Sequence, residues 1–444
     1  MFFEVFRTPE SEFRGPVVGE GVLERVWKYM RFFSPSVLVA LSIPFFIMGG
    51  AWIAYYALAY AILIIGGDLF FGEDKKDYSG AYKYLGIFPY IELVSIVINA
   101  TAVILFAWML GLPETDLFGI ATLVQSLSGF DAVAAHANNT WGAYAGGFGM
   151  AAIGGAINGV IIGHNTTHRT FEPKSVIMGR IGQAFGMFTY FSIRHPYGHH
   201  NLIGTPADPS WARRGENFYV FRMRSVYGQY KMTWDLEKER LNRMGMPVWH
   251  WRNEALQGWA MELVVLAIFF YAAGWLGVAA MLAVGFVCHT GLELANYCEH
   301  QGLVREPSEP FQPRHAWDDA HRLTYWFVCG ISRHSHHHSD AQVEEFELKY
   351  YGDTDQAMST PYGYFVSFLV FLIPPLWNRI MIPRWLEWDA NYATAGEKRL
   401  AALENLQSGL PELVAAGEEY FAQEDDKKTG KSKKENQQNL QQSA

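Results

Sequence analysis

Apolar stretches of membrane-spanning length alternate with shorter polar stretches over most of this chain. About 20 residues are needed to cross the hydrocarbon core of a bilayer. Six stretches reach or approach that length, although the first is short for a full crossing: 36–49, 51–71, 87–110, 145–163, 259–273 and 276–298. The pattern predicts an all-α integral membrane protein with six transmembrane helices.

A further apolar stretch, 174–193, is interrupted by Arg180, Gln183 and Tyr190. A crossing there would place the histidine-rich segments on its two sides on opposite faces of the membrane. We therefore predict a half-buried helix at the membrane interface. The apolar residues around 365–376 end in two adjacent prolines, and we predict a surface-lying helix there.

The composition agrees with a membrane protein and suggests four regions. Half of the 444 residues are hydrophobic and 18% are charged, whereas soluble domains average roughly 25% charged residues. We predict an amphipathic N-terminal segment at 1–33, a membrane-embedded domain at 34–385 and a peripheral helical segment at 386–416. The charged, Gln- and Asn-rich residues 417–444 predict a disordered tail.

Lysine and arginine are unevenly distributed among the polar segments. They occur in the N-terminal segment, in the loop 72–86 and throughout 164–256, but not in the loop 111–144. The positive-inside rule places the first three in the cytoplasm. Six crossings then put both termini and every histidine-rich segment on the cytoplasmic face. In a bacterium the membrane would be the inner membrane. No basic stripe with interleaved aromatics is present, which excludes nucleic acid as a partner.

Most of the fifteen histidines lie in four short segments, where spacings of three and four residues place imidazoles on one helix face. Neutral imidazole is the commonest protein metal ligand. Nine ligands exceed the need of one tetrahedral zinc, so the clusters predict two metal ions, and imidazole suits zinc, copper, iron and nickel alike. The nine predicted ligands are His164, His168, His195, His199, His200, His300, His334, His337 and His338.

Polar residues beside these clusters are candidates for orienting the ligand imidazoles through their other ring nitrogen. His336 would face away from its neighbours on a helix. Glu299, Asp318 and Asp340 are equally well explained as solvated, and His315 as an ordinary surface histidine. The three cysteines form no CxxC pair, so an iron–sulfur electron donor would be a separate chain. The candidate orienting residues are Glu299, Asn296, Asp318, His315, His336 and Asp340.

Two segments resemble motifs of the membrane fatty-acid desaturase and hydroxylase superfamily, most closely its bacterial alkane 1-monooxygenase and xylene monooxygenase branch. Residues 333–338, Arg-His-Ser-His-His-His, are similar to the RHSDHH box, and 296–303, Asn-Tyr-Cys-Glu-His-Gln-Gly-Leu, to NYxEHYGL. The resemblance covers roughly 35–385. Asn165, Gln301 and His336 replace the usual Glu, Tyr and Asp.

The resemblance implies a cytoplasmic-side non-haem site of two iron ions held by the nine histidines. It also implies hydroxylation of the terminal methyl of an n-alkane to a 1-alkanol, with dioxygen and with electrons from a separate rubredoxin and rubredoxin reductase. Hydroxylation of an alkylbenzene methyl, or desaturation or hydroxylation of a fatty-acyl chain, are alternatives. We predict that Trp52, Tyr55 and Tyr56 line the substrate channel.

A different class of explanation is a histidine-rich metal transporter. Transporters place ionisable ligands within spans, near the bilayer midplane. Here each cluster lies at or beyond the predicted cytoplasmic end of a span, which argues against transport.

Overall fold

The computed structural model describes residues 21–442, with side chains as far as residue 427. That part of the chain is almost entirely helical and contains no strand, only two isolated β-bridges. The long apolar helices are α1 (Val22–Met48), α2 (Trp52–Phe70), α3 (Leu85–Gly111), α6 (Trp141–His168) and α10 (Glu254–His300). The remaining helices are α4 (Ile120–Ser128), α5 (Ala132–His136), α7 (Pro173–Ala184), α8 (Phe191–Arg194), α9 (Phe218–Arg243), α11 (Arg322–Phe327), α12 (His334–Ser339), α13 (Tyr364–Phe371), α14 (Pro374–Asn391), α15 (Ala395–Gln407) and α16 (Pro411–Gln442).

Five helices in the described residues are long and apolar enough to cross a membrane, where the hydrophobic pattern predicted six. The difference lies in α10, whose 47 residues are broken by non-helical backbone at Ala273 and Gly274. Glu262 hydrogen-bonds to Thr189, and His289 lies 2.8 Å from the carbonyl oxygen of Met187. A straight helix would hold residues 262 and 289 about 40 Å apart, so α10 folds back on itself at the break.

The first apolar helix begins earlier than predicted. Residues 1–20 of the predicted N-terminal segment lie outside the described residues, but 22–33 continue directly into α1. Two cations in this part are buried rather than solvated, because the loop after α2 covers them. Lys28 Nζ donates to the carbonyl of Ala81 at 2.6 Å, and Arg31 donates to the hydroxyl of Tyr82 at 2.7 Å. Residues 22–33 thus belong to the same apolar helix as the residues that follow them.

Small residues bring the long helices into close contact. A Cβ at Gly154 of α6 would lie 2.7 Å from the carbonyl oxygen of Asn99 in α3, and one at Gly146 would lie 2.6 Å from the backbone of Ala54 in α2. Such glycines allow backbones to approach where apolar surface alone supplies no driving force in lipid. Helix α6 is thereby fixed against α2 and α3, and its last turn carries His164.

The predicted interfacial and surface helices are short. Helix α7 has 12 residues and ends at Ala184, which is too short to cross the bilayer. In the C-terminal region, α14 buries Trp377, Trp385 and Trp388 in a second core, to which Tyr297 and Cys298 of α10 also belong. Helix α16 packs along α15 and runs through residue 442.

Candidate metal centre

Four elements carry the nine histidines to one place beneath the long helices. Helix α6 ends in His164 and His168, and the second half of α10 ends in His300. The six-residue helix α12 presents three imidazoles, with its first turn fixed by Asp318, whose carboxylate accepts the backbone N–H of Ser335 at 2.7 Å. The remaining three histidines follow α8.

A π-helical turn, His195–His199, determines how the last cluster is divided. In an α-helix, residues 195 and 199 would share a face. The wider π turn instead brings residues five apart together, and the Nε2 atoms of His195 and His200 are 3.1 Å apart. His199 is turned to the other side. Single π turns of this kind often occur at functional sites.

The histidines form two groups of four, in which ligand atoms of all four members lie within 4.8 Å of one another. The first group is His164, His168, His195 and His337. The second group is His199, His300, His334 and His338. His200 lies between them, within reach of both His337 and His338. The structure thus brings together all nine predicted ligands.

The distances within each group fit a metal ion. Nε2 atoms are 3.0 Å apart between His195 and His168, and 2.9 Å apart between His338 and His334. A metal–nitrogen bond of about 2.0–2.1 Å places neighbouring ligand nitrogens roughly 3 Å apart. Neither ring nitrogen of His164 or His337 has a hydrogen-bond partner among the described residues. Buried polar atoms are normally paired, so these nitrogens fit a role as ligands.

The electrostatics of the site keep the imidazoles neutral, as metal binding requires. Burial and the neighbouring imidazoles hold the pKa values of five histidines well below the ordinary value for histidine. These five are His195, His200, His334, His337 and His338. A cluster of neutral imidazoles offers lone pairs to a cation without mutual repulsion.

Two carboxylates that the sequence reasoning missed face the outer nitrogens of ligand rings. His199 Nδ1 donates to Asp208 at 2.7 Å, and Glu345 lies 3.6 Å from His164 Nδ1. Burial alone would raise the pKa of Asp208, but His199 and Arg194 lower it below its ordinary value. Asp208 belongs to the segment Thr-Pro-Ala-Asp-Pro, which directly follows the second cluster. This position after the cluster was the feature of the sequence that could have indicated Asp208. For Glu345 the sequence offered only its position next to another glutamate, Glu344.

Two of the predicted orienting residues lie on the inner side of the site. The Glu299 carboxylate accepts from the hydroxyl of Tyr364 at 3.0 Å, and its other oxygen is 3.4 Å from His334 Nε2. The Nε2 atoms of His334 and His300 lie 3.1 Å apart, and this carboxylate oxygen faces both of them. Glu299 and Asn296 also line a cavity beside the histidines.

The other predicted orienting residues do not contact ligand nitrogens. Asp318 binds backbone N–H groups, and Asp340 is exposed and accepts from Gln342 N. His315 uses both ring nitrogens elsewhere, accepting from Gln312 N and contacting Glu397 at 2.6 Å.

The three positions at which this chain departs from its family's motifs lie in different surroundings. His336 faces away from the other rings, as predicted, and accepts from Lys349 N at 2.8 Å. Gln301 is hydrogen-bonded to Tyr297 and Trp377 among aromatic rings. Asn165 is buried beside His164.

A narrow, mainly apolar cavity opens onto both groups of histidines. His164 and His195 of the first group and His199 and His334 of the second contribute to its wall. The rest of the wall is mainly apolar: Val160, Ile161, Phe191, Leu292, Ala295, Val328 and Ile331. A slender hydrophobic molecule in this cavity would reach both metal positions.

The residues predicted to line a substrate channel are not in this wall. Trp52 and Tyr55 are 49% and 64% exposed near the start of α2, and Tyr56 stacks on Phe45 of α1. The far end of α2, where Asp68 accepts from Thr324, is the one that approaches the site. Aromatic character alone did not locate the cavity.

Long apolar helices that carry two groups of buried histidines define a class of membrane protein in which each group could hold a metal ion. A family model described as fatty acid desaturase matches residues 139–369. Alkane 1-monooxygenase 1 of Pseudomonas aeruginosa is 30% identical over 78% of this chain and 88% of its own length. Alkane 1-monooxygenase 2 of the same species is 34% identical, and the match spans 52% of this chain and 61% of that relative. The xylene/toluene monooxygenase hydroxylase component XylM of Pseudomonas putida is 32% identical over 55% of this chain and 66% of its own length.

The chain belongs to the alkane-monooxygenase branch of the fatty acid desaturase superfamily, as the resemblance at 296–303 and 333–338 predicted. It is an oxidoreductase of the monooxygenase class.

Proposed function

We propose that this chain is a non-haem diiron monooxygenase that hydroxylates the terminal methyl of medium- or long-chain n-alkanes to 1-alkanols. The observation that carries the proposal is the apolar cavity that ends on both groups of histidines. No lysine or arginine is among the described residues of its wall. A hydrocarbon end therefore fits this cavity, and a carboxylate there would have no cation to bind.

The residues of the site have separate tasks in this reaction. Iron bound by the nine histidines would supply the activation of dioxygen and the insertion of one oxygen atom into a C–H bond. The apolar wall excludes water and directs the end of the chain toward the histidines, with Leu292 and Ile331 beside them. Asp208 holds the His199 ring through its outer nitrogen, which keeps the inner nitrogen free for a metal.

Electrons must come from another protein. Cys288, Cys298 and Cys329 are all free and cannot form a CxxC-type cluster. We assign this role to a separate rubredoxin and its reductase, which the family resemblance supports. The two halves of α10 serve as two crossings, which with α1, α2, α3 and α6 makes six. Both termini and the metal centre then face the cytoplasm of a bacterial inner membrane, in agreement with the distribution of lysine and arginine.

An alkylbenzene methyl is the second candidate substrate, and the similarity to XylM favours it. Its reaction would use the same metals, with an aromatic ring lying in the cavity. Analysis of the products distinguishes a 1-alkanol from a benzylic alcohol and from an unsaturated acyl chain.

The proposal predicts that the membrane-expressed chain, supplied with a rubredoxin, its reductase and a mixture of n-alkanes, forms 1-alkanols. His337→Ala should abolish product and lower bound iron. His337 belongs to the first group and also lies within reach of His200 and His338. Product and iron per chain are measured on the same membranes.

The matched control is His336→Ala, the same substitution one position earlier on the same helix. The His336 ring is turned toward Lys349 N, so this variant should keep its iron. Equal loss of iron in both variants would contradict the assignment of ligands. Iron-loaded membranes that oxidise neither alkanes nor alkylbenzenes would contradict the proposed function.

A further inference from the structure

Glu293 is a carboxylate buried inside the protein without a full set of partners. Its side chain is completely shielded from solvent, and its Oε2 atom has no hydrogen-bond partner among the described residues. Its Oε1 atom accepts from Gln229 Nε2 at 2.5 Å and from Asn296 Nδ2 at 3.5 Å. An unsatisfied buried carboxylate is costly to a fold, so a function is the better explanation for it.

The nearby charges come from two further elements. Arg194 of α8 is completely buried, and its Nε and Nη2 atoms have no hydrogen-bond partner among the described residues. It interacts electrostatically with Glu293, as do Arg222 and Arg224 of α9. The Tyr190 hydroxyl lies on the other side of Gln229. Glu293 therefore lies in a polar pocket among cations, yet apart from the nine histidines.

A row of buried polar side chains runs along α9 from this pocket toward Arg240 at the surface. Ser225, Gln229, Thr233 and Glu237 are spaced four apart on α9 and so lie on one face, which is buried. A buried helix face is normally apolar. At the outer end of the row, Glu237 accepts from Arg240 at 2.7 Å, and the Arg240 side chain is 34% exposed.

The inner end of the row reaches the cavity. Asn296 contacts Glu293 with its amide and lines the cavity beside His199 and His334. The proposed reaction consumes protons there: RH + O2 + 2 e⁻ + 2 H⁺ gives ROH + H2O, with both electrons supplied by the separate donor. The mainly apolar wall offers few groups that can deliver these protons.

We propose that Glu293 delivers protons from the row on α9, past Asn296, to the histidine-lined end of the cavity, where dioxygen would be reduced. This inference rests on the proposed monooxygenase function. In each transfer the carboxyl group of Glu293 gives a proton to the cavity and regains one through water bound to the amide and hydroxyl groups of the row. The proton ultimately comes from bulk water near Glu237 and Arg240.

The test is Glu293→Gln in membranes that also contain the rubredoxin, its reductase and an n-alkane. The amide keeps the shape of the side chain but cannot exchange a proton in this way. Alcohol formation should fall at least about tenfold, with bound iron unchanged. More of the electrons consumed should appear as hydrogen peroxide, and the solvent deuterium isotope effect on the rate should increase.

Two further variants separate proton transfer from structure. Glu262→Gln is the matched control: Glu262 is on the same helix and is also buried, but its carboxylate is paired with the N–H and hydroxyl of Thr189 at 2.8 and 2.7 Å. It should leave the alcohol yield per electron unchanged. Glu293→Asp retains a carboxyl group and should recover much of the rate.

Full activity in Glu293→Gln would overturn the inference. Loss of iron in both Glu293 variants would also overturn it, because the carboxylate would then be structural. If the unaltered chain forms no alcohol, the proposed function itself fails, which is a distinguishable result.

Discussion

The two groups of histidines are held in different ways. In the second group all four rings are buried, His199 is hydrogen-bonded to Asp208, and His334 Nδ1 lies 3.3 Å from the carbonyl of Ile331. In the first group His168 is partly exposed, and both nitrogens of His164 lack hydrogen-bond partners among the described residues. Each group nevertheless offers four ligand nitrogens at the same spacing.

This difference bears on how firmly each metal is bound. A hydrogen bond to the outer nitrogen fixes the orientation of an imidazole before a metal binds and raises its basicity. In the second group His199 and His334 have this support, whereas no ring of the first group has such a bond among the described residues. We therefore expect the second group to bind its metal more tightly and to exchange it more slowly.

The largest expected effects come from removing one ligand from each group. His168→Ala should lose the metal of the first group, and His334→Ala that of the second. If the proposed diiron function holds, each should retain about one iron per chain and lose activity at least about 100-fold, because that function requires both metals to act on one substrate. Iron is measured per chain before and after incubation with a chelator.

The comparison predicts unequal results in that incubation. The iron remaining in His168→Ala lies in the supported second group and should resist the chelator. The iron remaining in His334→Ala lies in the partly exposed first group and should be removed sooner. Equal rates of removal would show that the hydrogen bonds of the second group have no bearing on retention.

A smaller effect is expected from Asp208→Asn. The substitution keeps the size of the side chain but replaces the anion that accepts from His199. Metal affinity of the second group should fall roughly 10- to 100-fold, the usual effect of losing such a partner. The measurement is iron retention against increasing chelator, with helicity checked by circular dichroism because Asp208 also accepts from Ser210 N.

Asp340→Asn is the matched control for this variant. Asp340 directly follows α12, but it is exposed and contacts no ligand ring. It should retain iron as the unaltered chain does. A comparable loss in both variants would mean that charge near the site, rather than the bond to His199, governs affinity.

The sequence was sufficient to predict which histidines come together, because their spacing is local. Residues 334, 337 and 338 share a helix face in any α-helix, and the structure keeps them on one. Their division into groups was not predictable, because it depends on how α12 crosses α6 and α10. For the same reason the π turn was missed: α-helical geometry would pair His195 with His199, but the structure sends them to different groups.

The supporting residues were harder to predict than the ligands. Asp318 and Asp340 were predicted to orient the imidazoles, yet Asp208 and Glu345 are the carboxylates that face the outer ring nitrogens. Both belong to segments whose path is set by tertiary packing. The hydrophobic pattern likewise indicated the membrane-spanning regions, but not that α1 starts at Val22 or that the last two stretches form one broken helix.

The smallest effect is expected from Glu345→Gln, the counterpart of Asp208→Asn in the first group. Glu345 lies 3.6 Å from His164 Nδ1, beyond hydrogen-bonding distance, whereas Asp208 lies 2.7 Å from His199. Since this carboxylate gives His164 no hydrogen bond, its replacement should weaken metal retention by less than about tenfold. The same chelator titration measures both variants. If Glu345→Gln releases iron as readily as Asp208→Asn, the two groups are supported equally when the metals are bound, and the difference between them belongs only to the metal-free protein.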